Sequence, residues 1–144
     1  MIWFGDKAPD ENYLRNSFKV AMPGFLGIEF VAIDDNSLTL RMPVTEKVHQ
    51  PFGRLHGGAS VVLAETAGSM AAAFCVDPAQ FACVGMEINA NHIRPVRDGW
   101  VYASATPEAI GRTTQVWSIR IRDEADRLVC ISRLTVAVIP VERK

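Results

Sequence analysis

Gly57-Gly58-Ala59-Ser60-Val61-Val62-Leu63-Ala64-Glu65-Thr66-Ala67-Gly68-Ser69-Met70-Ala71-Ala72-Ala73-Phe74-Cys75-Val76 is a run of twenty residues with a single charge, Glu65. Length alone would let it span a membrane. Its three glycines, its alanines, its central acid and the lack of flanking aromatic belts argue instead for a buried helix in a soluble protein. Val61, Val62, Leu63, Ala64, Ala67, Met70, Ala71 and Phe74 point in every direction around such a helix. A helix with no polar face must be wrapped on all sides. Its small residues let a sheet approach closely, and a sheet curled around it meets both needs. Asp77-Pro78 stops the helix.

Outward from this helix the pattern is extended. Upstream, residues 10–21 predict a short helix ending before Pro23-Gly24. Residues 25–33 and the alternating Ser37–Val44 predict a hairpin through Asp34-Asp35-Asn36. Residues 45–56 form a polar connector. Downstream, segments near 82–94, 100–108, 113–123 and 128–139 read as four strands, punctuated by Asp98-Gly99, Gly111 and Asp123 to Asp126. Strand runs around one helix predict a single α+β domain over residues 1–144 with an antiparallel sheet. No Gly-x-Gly-x-x-Gly or Walker loop supports a nucleotide fold.

Composition narrows the function. Fifteen basic and 16 acidic residues leave a net charge of −1, which argues against nucleic-acid binding. The 49% apolar content is high for a small monomer and predicts surface buried against a partner. The apolar start, Met1-Ile2-Trp3-Phe4, is too short for a signal peptide, so a cytoplasmic location is expected. Cys75, Cys83 and Cys130 read as small buried hydrophobes. His49 and His56 have no third ligand at a suitable spacing, so no metal is expected.

Glu65 is the charge that composition cannot absorb. It is either exposed or paired with an arginine, or it is a general base or nucleophile at a pocket edge. Ser69 follows it by one turn. His56-Gly57-Gly58 starts the helix, where unpaired backbone N–H groups and the positive dipole end suit a developing oxyanion. A carbonyl would then sit with its oxygen at the helix start and its carbon within reach of the Glu65 carboxylate or of an activated water. His92, Arg94 and Arg112 are either scattered surface charge or a cationic rim for phosphates.

The stretch from His49 to Glu65, the block from Val84 to His92 and the closing Ser132-Arg133-Leu134-Thr135 together resemble the hotdog-fold acyl-CoA thioesterases. The resemblance runs from about Gly24 to Ile139. Gln50 and Glu65, where the phenylacetate-pathway type carries Asn and Asp, point to the branch that acts on aryl-CoA thioesters such as the 1,4-dihydroxy-2-naphthoyl-CoA of menaquinone synthesis. The resemblance implies a long central helix wrapped by a curved sheet. It implies homodimers, often assembled into tetramers, with active sites at the dimer interface. Glu65 would be the catalytic carboxylate, Gly57 the oxyanion donor, and Gln50 and His56 would position the thioester and water. Ser69 would lie near the acyl group. CoA, part of the substrate and no cofactor, would contact Gly85, His92, Ile93, Arg94, Pro95, Ala109, Ile110, Gly111, Arg112, Thr113 and Thr114. The acyl pocket would include Met70 and Phe74. Rival readings are a non-catalytic acyl-CoA binder, and a dehydratase or proofreading thioesterase that takes its thioester from an acyl carrier protein.

Overall fold

A computed structural model describes residues 1–142. Three helices, α1 (Glu11–Ser17), α2 (Ala21–Leu26) and α3 (Gly57–Ala73), accompany six strands. The strands are β1 (Glu29–Ile33), β2 (Leu38–Pro43), β3 (Phe81–His92), β4 (Trp100–Ile110), β5 (Thr114–Asp123) and β6 (Leu128–Pro140). They form one antiparallel sheet in the order β1-β2-β4-β5-β6-β3. This is the α+β architecture expected, a long helix in the hollow of a curved sheet.

The sheet buries alternate residues on the α3 side: Leu38, Leu40 and Met42 from β2, Val101, Ala103 and Ala105 from β4, and Trp117, Ile119 and Ile121 from β5. From α3 they meet Ala59, Leu63, Ala64, Ala67, Ala71 and Ala72. The approach is close because Gly68 has no side chain. A Cβ there would lie 2.7 Å from Leu134 Cδ2. The opposite stripe, Val61, Val62, Glu65, Thr66, Ser69 and Met70, is only half-buried. No helix among the described residues is long and apolar enough to cross a membrane.

The N-terminal region departs from expectation. Residues 10–21 are not one helix, and α2 runs through Pro23-Gly24. Pro23 is the third residue of α2, within the first turn, where its missing N–H breaks no helical bond. Consequently β1 starts at Glu29 and not near 25.

One irregularity in β3 decides the site. Gly85 pairs with Val136 and Glu87 with Thr135, so Met86 is an extra residue. In a regular strand, Gly85 and His92, seven positions apart, would face opposite sides. The bulge shifts the alternation, and both face α3.

Candidate active site

The connector before α3 shapes the helix start. Gln50-Pro51-Phe52-Gly53 is a tight turn in which Gly53 N–H donates to Gln50 O at 3.0 Å, with Gly53 at φ 78°. Gln50 Oε1 accepts from Phe52 N–H, which leaves its amide nitrogen to donate outward. Phe52 itself is 83% exposed. His49 bonds through Nε2 to Arg97 O at 2.8 Å.

His56 is the N-cap of α3. Its Nδ1 accepts from Gly58 N–H at 2.8 Å, which puts the ring proton of the neutral imidazole on Nε2. A helix begins with four N–H groups that lack intrahelical acceptors. Three are served here: His56 N–H by Val48 O at 2.7 Å, Gly58 N–H by the imidazole, and Ala59 N–H by His56 O at 3.0 Å. Gly57 N–H has no acceptor among the described residues.

Gly57 lines a cavity of about 310 Å³. The polar wall is Gln50, Arg54, Ser60, His92 and Arg94, and the apolar wall is Leu55, Ile93, Pro95 and Val129. The His92 ring points its Nε2 vertex at Gly57. A Cβ on Gly57 would stand 2.7 Å from Nε2 and 3.0 and 3.1 Å from the two flanking carbons. The cavity therefore gathers a free amide at a helix N-terminus, an imidazole, a carboxamide and two guanidinium groups, a set suited to a polar or anionic ligand.

Glu65 is elsewhere. It lies eight residues beyond Gly57, about 12 Å along the axis, and no ion pair holds it among the described residues. Its Oε1 occupies the place of a side chain on Gly85, 2.6 Å from where a Cβ would be. Ser69 and Met70 continue the same half-buried stripe. The 109–114 turn, exposed throughout, is at this end of the sheet, since Gly85 and Gln115 both pair with Val136. Gly111 N–H closes the turn on Thr114 O at 2.9 Å.

The expected residues thus form two groups in one chain. Gln50, His56, Gly57 and the segment His92 to Pro95 are at one end of β3. Glu65, Ser69, Met70, Gly85 and the segment Ala109 to Thr114 are at the other, about 20 Å away along the strand. The single-chain placement of a carbonyl between Gly57 and Glu65 is not met. Phe74, expected in the acyl pocket, ends α3 and packs edge-on against Tyr13 at 6.0 Å. Arg54, Leu55, Ser60 and Val129 line the cavity without having been expected. Only Ser60 carried a signal, a hydroxyl one turn beyond Gly57. The thiols are poor nucleophiles: burial pushes Cys75 up to about 12, and Cys83 and Cys130 upward too.

The model of the thioesterase superfamily matches residues 52–130. Putative esterase PA1618 of Pseudomonas aeruginosa is 53% identical over 135 residues, 94% of this chain and 93% of that protein. The crystal structure of a variant of that thioesterase, with a glutamine replaced by alanine, superposes with a TM-score of 0.94 at 51% identity, covering 98% of this chain and all of the other. The 1,4-dihydroxy-2-naphthoyl-CoA hydrolase of Escherichia coli is 52% identical over 118 residues, 82% of this chain and 86% of that protein. SAV0944 of Staphylococcus aureus has been crystallised as a glutamate-to-alanine variant (TM-score 0.81, 40% identity, 84% of this chain, 100% of that chain) and as a glutamine-to-alanine variant (TM-score 0.79, 41%, 81% and 97%). Its two altered positions are fifteen residues apart, the separation of Gln50 and Glu65 here.

Proposed function

We propose a substrate and a division of labour for this chain, which belongs to the thioesterase superfamily and is a thioester hydrolase of the hotdog fold. The substrate is an acyl-CoA with an aromatic acyl group, 1,4-dihydroxy-2-naphthoyl-CoA or a close analogue. The observation that carries the mechanism is the unserved N–H of Gly57, at the positive end of α3. It stabilises the oxyanion that forms on the thioester carbonyl. Gln50 orients the thioester through its free amide nitrogen. His56 holds the helix start in place and presents Nε2–H to water or substrate. Arg54, His92 and Arg94 at the cavity suit the phosphates of CoA. A thiolate leaves readily, so one carboxylate and one oxyanion site suffice without a Ser–His–Asp triad. Glu65 supplies the carboxylate, as nucleophile or as base.

One chain cannot bring Glu65 to Gly57, so the site is assembled by two copies. β3 is an edge strand with Val84 and Met86 exposed, and the half-buried stripe of α3 adds Val61, Val62 and Met70. Antiparallel pairing of β3 with its copy about a two-fold axis near Ile88–Asn89 would set Gly85, and Glu65 against it, opposite the partner's His92. The substrate reading draws support from the named activity of the Escherichia coli relative. It is tested by thiol release across aryl-, fatty- and short-chain acyl-CoAs, with the matching carrier-protein thioesters alongside. Fastest turnover on aryl-CoA is expected; preference for a carrier-protein thioester, or water loss with the thioester intact, would replace this reading. In a single turnover in isotope-labelled water, label in Glu65 identifies an anhydride intermediate.

A further inference from the structure

Ser60 has no role in the reading above. It is 2% exposed and lines the same cavity as Gly57. No described residue hydrogen-bonds its hydroxyl. The other buried serine, Ser132, does find a partner: its Oγ donates to Asn89 O at 2.8 Å. No fully covered side-chain polar atom among the described residues lacks a partner, so this hydroxyl opens onto the cavity it lines, where water or a ligand completes it. Helical side chains lean toward the helix N-terminus, so Ser60, one turn beyond Gly57, leans over the turn that carries the free amide.

We propose that the Ser60 hydroxyl is a second oxyanion donor, acting with Gly57 N–H on the thioester carbonyl oxygen. This rests on the assignment of Gly57 as the first donor. The attacking oxygen adds to the carbonyl carbon, and the carbonyl π pair moves onto the oxygen held by the two donors. That pair returns as the C–S bond breaks and the thiolate departs. Phosphate recognition does not need this hydroxyl, because Arg54 and Arg94 line the same cavity. Ser60, enclosed at the first turn of α3, is placed for charge that develops during reaction.

The test is steady-state hydrolysis of an aryl-CoA by full-length Ser60→Ala, with Tm measured on the same preparation. Loss of one oxyanion donor lowers kcat about 100-fold and leaves KM little changed. Tm stays level, because the hydroxyl makes no hydrogen bond within the fold. Wild-type kcat in Ser60→Ala overturns the proposal, and so does a kcat loss that comes with a lowered Tm, the mark of a structural role. If Ser60→Ala does not fold, Ser60→Cys decides on the same criteria, a weak donor giving an intermediate kcat. Glu65→Gln is run in parallel. An inactive Glu65→Gln beside a fully active Ser60→Ala removes only the second donor, whereas an active Glu65→Gln removes the mechanism and this inference with it.

Discussion

Gly85 is bare because the Glu65 carboxylate stands where its side chain would be. Gly85→Ala should therefore displace Glu65 while the strand stays paired. Misplacing a reacting group by about 1 Å can cost about 100-fold, so a kcat loss of that order with an unchanged Tm is expected in thiol-release assays. Removing the carboxylate is more severe. Glu65→Gln or Glu65→Ala should lose at least ~100-fold in turnover with a wild-type circular dichroism spectrum and a wild-type elution volume in gel filtration. Near-wild-type hydrolysis by either variant would remove Glu65 from the mechanism. Glu65 was legible in the sequence as a lone charge in an apolar helix. Its contact with Gly85 was not, because only the packing of β3 on α3 joins residues twenty positions apart.

At the scale of elements, the start of α3 carries a structural cap that can be separated by mutation from the chemistry proposed for it. His56→Ala removes the acceptor for Gly58 N–H and should cost about 0.5–2 kcal/mol, read as a fall in Tm. Asparagine also caps well, so His56→Asn should keep Tm. A drop in kcat in that variant would report the imidazole's own part in catalysis. Two turns behave similarly as local devices. Asp34, between β1 and β2, accepts from Asn36 and Ser37 N–H, and Asp123, the last residue of β5, accepts from Arg127 and Ala125 N–H. These bonds hold both carboxyls below the ordinary value of 3.8, the Arg127 and Asn36 amides leading. A depressed carboxylate adds stability that is fully present above about 3.8 and is lost as pH falls through its folded value. Asp123→Asn should therefore lower Tm at neutral pH and narrow the gap to wild type under strong acid, as thermal melts across that range would show. The Asp34-Asp35-Asn36 turn was readable from residue type. The split of the N-terminal helix was not, since it depends on where Pro23 falls within a turn.

At the scale of the molecule, the prediction concerns copies. If Gln50 and Gly57 of one chain serve Glu65 of another, two inactive variants should rescue each other. Glu65→Ala mixed with Gln50→Ala and reassembled should regain about a quarter of wild-type activity, since half the dimers would be mixed and each would hold one intact site. No recovery after proven subunit exchange would place the whole site within one chain. The sequence by itself determined the wrapped helix, the run of antiparallel strands, the lone carboxylate and the Gly-rich helix start. Each is a local matter of periodicity or residue type. Only the tertiary structure decided which residues meet. The bulge at Met86 turns both Gly85 and His92 toward α3, the start of α3 leaves only the Gly57 amide without an acceptor among the described residues, and the two groups of candidate residues stand at opposite ends of one strand. Such facts depend on register and on packing between distant segments, which local periodicity and residue type do not specify.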